Sequence, residues 1–593
     1  MSAWEEYYSS ISQKYFDETC RENANVFDLT AQQAVQETVD QLQATASSAA
    51  SSSTLATAKS MTHLLQSHPD SASGVEERRQ QTAFVQALER LAATRAVDND
   101  ESTATLLETL QFLNHKLLLE QSQMTQEGAI QLSAAYYQHL FLARQGWTRC
   151  LELVSLLRQE TNERPQEMQL LVSLMRGLCV QTAAAVTKKP HKCALQTTMP
   201  AHMVSWLMLL QASVGTDNLP TVTNMLIIMQ RSMQQCERNK QLWTSPRQER
   251  SRAPPFLPLL LDIVTQITQA CKDNQLLGQP QQHQPQEWID LTRSVGSLLT
   301  AMCTFEDDWM PASTGETVVA SAHATVLALS EMGMTGQLLK LWTLFQDEAN
   351  VVLAIRCMAI HDSIVQQMVA GGVLERIVEL LVVVDDESNE HDDSNNDNGD
   401  KDTDQSWAVR TAVIGLVRNL SANDEIKCNL CGGRQSIAPD LIRHMNTALQ
   451  DKTGRNHGSL LEHACGSISA MALRFGRNAE FLISHGAAEA IVRSMHKYPE
   501  KVALQRQGAL AIRNIVSRSP DLREPVLQAG AEAALVNIAA RHQRCQDEVY
   551  AALRDLGIAA SLREAEQDSS GMMVFKPRQM FGERNPNFRP VFD

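Results

Sequence analysis

The sequence predicts an all-α fold: a right-handed superhelical solenoid in which repeated helical units share one extended core. Three observations carry that expectation. The chain has 593 residues, whereas single hydrophobic cores stop growing at roughly 250 to 300. Glycine and proline are scarce, 26 and 19 residues, about 8% of the chain where ordinary globular composition gives roughly 12%. Tight turns are therefore few, which argues against sandwiches, barrels and propellers. Finally, an apolar helix followed by a glycine and a second apolar helix recurs toward the C-terminus with an underlying period of about 42 residues, a spacing of solenoids.

From the N-terminus, residues 1–43 read as a helical segment. Within it Ile11 to Leu42 suggests two short amphipathic helices, the second opening near Thr30 with Ala34, Val35, Val39 and Leu42 on one stripe. Residues 44–82 form a low-complexity linker, led by the tract ATASSAASSSTLATA, which has too little bulk to bury. Residues 83–321 are almost continuously helical in pattern and read as diverged repeats. They are punctuated at Arg164-Pro165, Lys188 to Lys192, Leu219-Pro220, Ser245 to Pro258 and Gly278 to Pro285.

Residues 322–562 hold the clearest repeats. The segments beginning at Ala354, Leu416, Ala470, Ala511 and Ala551 share an apolar helix ending near Met358, Leu420, Leu473, Ile515 and Leu556. The first four are followed 12 to 15 residues later by Gly371, Gly432, Gly486 and Gly530, where the positive φ of a helix C-terminus suits glycine. Anchor spacings are 62, 53, 42 and 41. The first excess equals the 20-residue stretch Asp385 to Asp404, and the loop Lys452 to Gly458 absorbs part of the second. Asp385 to Asp404 carries eight aspartates and two glutamates against one lysine, net −9 of the whole chain's −16. With no bulky apolar residue it reads as a disordered acidic insert, and the stretch from Asp392 lacks the register of a calcium-binding EF-hand loop. Residues 563–593 are a tail in which Phe581, Phe588 and Phe592 alternate with Arg and Pro. Such a tail either docks on the solenoid or stays a free terminus.

The phrases AGGVLERIVELL with VRNLS, and HGAAEAIVRSM with AIRNIV, resemble the armadillo repeat over residues 350 to 558. Ile11 to Leu42 and AALRDLG (551–557), taken together, resemble one particular member of that family. The resemblance implies a concave groove lined by the third helix of each unit, where an asparagine near the helix end bonds to the backbone of an extended peptide. A carboxamide offers both donor and acceptor, so it suits any peptide unit. At that position this chain has Cys357, Asn419, Ala472, Asn514 and Asp555, preceded by Arg356, Arg418, Met471, Arg513 and Arg554. The groove candidates are thus Asn419, Asn514, Arg356, Arg418, Arg513, Arg554 and Asp555. The arginines suit carboxylate-bearing ligands, or alternatively pair with carboxylates of adjacent units and stabilise the stack. Import receptors of the same class carry a tryptophan four residues before the asparagine; Gly415 and Leu510 stand there instead, which argues against a groove for basic signals.

The function expected is non-catalytic protein binding by a scaffold on the concave surface; the alternative is a chaperone-cofactor type of adaptor that grips a folded partner by an edge or convex surface. No nucleotide-binding, metalloprotease or nucleophile-elbow motif is present, so no catalytic residue and no cofactor are expected. Cys428 and Cys431 form a CxxC, with His463 and Cys465 about 34 residues on. The residue types suit zinc, but buried reduced thiols are the simpler reading. His361, His444 and His485 read as surface or cap residues. The acidic balance disfavours nucleic acid and anionic membranes as partners, and no apolar run spans a bilayer. The expectation is a monomer, cytoplasmic or else nuclear, with a protein partner.

Overall fold

The structure is a computed structural model. It describes residues 13–27, 83–91, 100–118, 141–157, 165–185, 190–214, 218–234, 236–244, 255–273, 285–304, 315–382, 399–558, 564–567 and 573–576, with isolated positions between 29 and 41 and at 93 and 138. The chain divides into two compact units, one of residues 1–259 with 306–310, the other of 260–305 with 311–593.

The first unit contains α1 (Gln13–Phe27), α2 (Asp100–Leu117), α3 (Gly146–Leu157), α4 (Pro165–Ala185), α5 (Pro190–Ser213), α6 (Leu219–Met233) and α7 (Glu237–Thr244). The prolines that punctuate the sequence mostly open helices: Pro165 and Pro190 stand first in α4 and α5, and Pro220 in the first turn of α6. A missing N–H costs nothing there, because the first-turn donors have no helical partner. In α1, Asn23 is buried and its Nδ2 donates to Thr38 Oγ1 at 2.8 Å and Gln41 Oε1 at 3.2 Å. The second predicted helix is present at the described positions between 33 and 41, with Ala34 buried. Val35, Val39, Leu42 and the tract 44–82 lie outside the described residues. The core of this unit is apolar and aromatic, with Trp147 edge-on to Phe141 and Trp206 fully buried.

α8 (Phe256–Asp273) enters the second unit, followed by α9 (Gln286–Cys303). Five three-helix repeats then succeed one another: α10 (Gly315–Glu331), α11 (Met334–Leu344) and α12 (Ala349–Met358); α13 (Asp362–Ala370), α14 (Val373–Leu381) and α15 (Gly399–Leu420); α16 (Asp424–Gly432), α17 (Ala438–Gln450) and α18 (Gly458–Ala472); α19 (Gly476–Ser484), α20 (Ala487–Lys497) and α21 (Val502–Val516); α22 (Arg523–Gln528), α23 (Ala531–Arg541) and α24 (Gln546–Asp555). The third helices form one row, each packed on the next through α9, α12, α15, α18, α21 and α24; α17, α20 and α23 form a second row of second helices. Each repeat thereby covers its neighbour's apolar face, as a solenoid demands.

The turn from first to second helix uses a left-handed glycine in four repeats: Gly333, Gly372, Gly486 and Gly530, with φ between 86° and 90°. Two expectations need correction. In the second repeat the positive φ falls on Gly372, not Gly371. In the third, Gly432 ends α16 and Gly433 has φ −92°; the longer turn is closed by Asn429, which accepts from Gln435 N and donates to Gln435 Oε1.

The end of the acidic stretch is helical, contrary to the sequence expectation. Residues 385–398 lie outside the described residues, but 399–404 already belong to α15, and Asp404 is ion-paired with Arg455. Acidic residues in a first turn are favoured by the helix dipole. In the tail, β1 (Glu564–Gln567) pairs antiparallel with β2 (Met573–Lys576), with Glu564 opposite Lys576. This short ribbon was not expected from an all-helical reading. Phe581, Phe588 and Phe592 lie outside the described residues.

Candidate functional site on the row of third helices

The third helices keep an apolar stripe inside the stack, together with a few buried polar residues such as Gln505 and Ser467. On α21, Leu504, Ala509, Ile512 and Ile515 are buried, while Arg506 and Arg513 stay in contact with solvent. Helical spacing therefore collects the polar residues of successive repeats on one face.

The two asparagines lie on this row, and each binds the neighbouring repeat. Asn419 Nδ2 donates to the Arg356 carbonyl at 2.9 Å, and Asn514 Nδ2 donates to Ser469 O at 3.0 Å and Ser469 Oγ at 2.9 Å. The carboxamide donor thus adds a second hydrogen bond to a carbonyl near the end of the preceding third helix, which already accepts from the C-cap N–H of Ala359 or Leu473. Asn419→Ala and Asn514→Ala are each expected to cost about 0.5–1.5 kcal/mol in chemical denaturation, the range for losing one hydrogen bond between repeats while the carbonyl keeps its backbone partner. An unchanged midpoint would refute this clamp role.

The arginines divide into two kinds. Arg513 lies 3.6 Å from Asp555 of the next repeat, and Arg554 lies 2.7 Å from the same carboxylate. Arg506 pairs with Glu548 at 2.6 Å and Lys501 with Glu462 at 3.2 Å. The pairs of Arg513, Arg506 and Lys501 link adjacent repeats, whereas Arg554 and Asp555 are neighbours on α24. Arg356 and Arg418 instead cross a glycine of the next third helix. A Cβ on Gly415 would come within 2.8 Å of Arg356 Nη1, and a Cβ on Gly466 within 2.7 Å of Arg418 Cδ. Over Gly415, Arg356 reaches α18 and places Nη1 3.0 Å from His463 Nε2.

Burial first, and then the charges of Arg356, Arg418 and Lys501, lower the His463 pKa to about 3. The imidazole is therefore neutral near pH 7 and accepts from Arg356 through Nε2, which leaves the proton on Nδ1. Burial, followed by the charge of Arg356, also pulls the Arg418 pKa below its ordinary value, opposed by Glu462.

The zinc alternative is not assembled. Cys465 is fully buried in the core, and burial pushes its thiol up to about 12. Cys431 is raised to about 12 by burial and then by Cys428, and its Sγ faces the Asn478 carbonyl at 3.7 Å. Cys428 meets the Asn478 amide and His463 turns to Arg356. Among the described residues no three His, Cys, Asp or Glu side chains could hold a metal ion together. His444 is a further correction: it is buried on α17, with Nε2 2.9 Å from the Leu381 carbonyl. His361 does cap α13, and His485 closes α19 against the Phe481 carbonyl.

Gly415 and Gly466, the ion pairs of Lys501 and Arg506, and His463 as an arginine partner were not foreseen in these roles. One signal was present. A glycine in mid-helix costs about 1 kcal/mol relative to alanine, so its retention points to a close approach.

Residues 9–46 match the model of the armadillo repeat-containing protein 6 N-terminal domain. No curated protein matches the chain in sequence. Among solved structures, one described as concerning a phosphorylation switch that controls the interaction between cadherin and beta-catenin superposes with a TM-score of 0.52 at 13% identity. It covers 92% of this chain and 90% of that one. A crystal structure of an engineered protein gives a TM-score of 0.43 at 13% identity, covering 79% and 98%. A designed armadillo repeat protein in complex with the peptide (KR)4 gives 0.33 at 19% identity, covering 49% and 99%. The first likeness shows the fold. No helix among the described residues is long and apolar enough to cross a membrane.

Proposed function

We propose that this member of the armadillo repeat family is a non-catalytic scaffold that binds a protein partner along a concave surface lined by its third helices. The observation that carries the reading is the unbroken row from α9 to α24, which gathers Arg356, Arg418, Lys501, Arg506, Arg513 and Asp555 on one polar face. A row of parallel helices repeated at one spacing offers an extended ligand equivalent contacts along its length. The partner is a protein, and the scaffold works as a monomer in the cytoplasm or nucleus. Because both asparagines donate to the preceding repeat, the arginines are the groups this face offers a ligand.

Photo-crosslinking separates this reading from an adaptor that grips its partner by the convex side. A photoreactive phenylalanine analogue replaces Arg513 on α21 in one variant of the full chain and the exposed Arg493 on α20 in another. The expected result is covalent capture of a discrete cellular protein through position 513 and not through 493. Capture through 493 alone would support the convex adaptor instead.

A further inference from the structure

We infer that Arg356 and Arg418 form an anion-binding site on the face of α12, α15 and α18, and that it takes side-chain carboxylates of an acidic peptide segment. This rests on the third-helix face being the binding surface, and it names the chemistry that the face selects.

The pairing pattern is the first support. Lys501, Arg506, Arg513 and Arg554 on this face each have a carboxylate within 4.0 Å. Among the described residues Arg356 and Arg418 have none: Arg356 meets a neutral imidazole, and the nearby Glu462 is held by Lys501. Two like charges on neighbouring helices, neither with a carboxylate within 4.0 Å among the described residues, repel each other until an anion arrives.

Their placement is the second support. Each side chain lies across a glycine backbone, Gly415 or Gly466, so the floor of the helix row fixes where the planar forks sit. His463 anchors the Arg356 fork at 3.0 Å, and Asn419 holds the Arg356 carbonyl from the same helix row. Guanidinium groups held in place lose little entropy on binding and accept carboxylates with two parallel N–H donors. Charge complementarity excludes a basic peptide here. Lys501, Arg506, Arg513 and Arg554 already have carboxylates within 4.0 Å, so the cations without one on this face are confined to Arg356 and Arg418, which suits a short acidic segment better than a nucleic acid that relies on many phosphate contacts.

The test uses the full chain and a fluorescein-labelled octaglutamate peptide, read by fluorescence anisotropy at low ionic strength. Octalysine and a single-stranded oligonucleotide of equal length serve as comparison probes. Octaglutamate is expected to bind most tightly, and Arg356→Gln and Arg418→Gln each to weaken it about tenfold, the loss for a charge-assisted pair. Gly466→Ala should also weaken it, because the new Cβ displaces Arg418 without removing a charge. Should a glutamine variant fail to fold, Arg418→Lys keeps the charge, and weaker binding by it still reports the fork. Equal octaglutamate affinity across the variants, no octaglutamate binding, or tighter binding of octalysine or the oligonucleotide overturns the site. If that happens while position 513 still captures a partner, the scaffold reading stands without this chemistry.

Discussion

Trp342→Ala is expected to lower the stability of the second unit by about 3–5 kcal/mol, the cost of emptying a buried aromatic site. Trp342 is 1% exposed in α11, and its ring covers Arg376, whose guanidinium carbon lies 6.0 Å from the ring centre. Arg376 Nη1 is paired with Glu379, but Nε and Nη2 are buried without hydrogen-bond partners. Removing the indole therefore opens a void and also takes the π face from a cation that has little else around it. Because repeat stability is set by nearest-neighbour contacts, the loss should appear as an early urea transition in far-ultraviolet circular dichroism, with helices in other repeats unfolding later. A midpoint unchanged from the parent would mean that the α11 site does not carry this packing.

The second large effect is a reversal of sign between two glycines. Gly296 lies in α9 where α12 approaches most closely: a Cβ there would stand 2.6 Å from both the carbonyl carbon and oxygen of Asn350. Both atoms belong to backbone, so no rotamer change relieves the clash and the two third helices must part. Gly296→Ala is expected to destabilise by about 1–3 kcal/mol, the range for an overpacked core. Gly336, in the first turn of α11, has open space around it, with nothing within 4 Å of the place a Cβ would occupy. Gly336→Ala should therefore stabilise by up to about 1 kcal/mol through helix propensity and reduced unfolded-state entropy. Equal effects of the two substitutions would show that the close approach of α9 and α12 is absent in solution.

Sequence periodicity revealed the architecture because helix anchors recur with a spacing that needs no tertiary information: Met358, Leu420, Ile515 and Leu556 prove buried at helix ends, while Leu473, the residue that caps α18, is exposed. Local choices were less legible. In the pair Gly371-Gly372 either residue can adopt positive φ, and only the path of α14 decides that Gly372 does. The acidic stretch looked uniformly unable to pack, yet its last residues extend α15, because Trp407 and Val409 just beyond them anchor that helix, Trp407 against His457 at 4.5 Å and Val409 in the core. Gly333 opens a left-handed turn in a repeat whose phrase does not align with the others in sequence.

The candidate site was legible in position more than in chemistry. Every asparagine and arginine singled out lies on or at the end of a third helix, as the repeat implies. What each side chain touches depends on its direction, and direction depends on the neighbouring repeat. Asn419 turns its donor to Arg356 O, and Arg513 finds Asp555. Arg356 and Arg418 are left without a carboxylate among the described residues, each crossing a glycine. Lys427, with a side chain 1% exposed, packs over Phe475 and pairs with Asp424, an arrangement that no pattern of charges along the chain announces.

If the third-helix row is the surface that meets the partner, binding must slow hydrogen exchange there first. Hydrogen–deuterium exchange on the full chain, with and without the partner captured through position 513, reads this out helix by helix. Slower exchange should appear in α15, α18 and α21, and not in the second helices α17, α20 and α23. Protection confined to the second-helix row would place the partner on the opposite face and overturn the concave-surface reading.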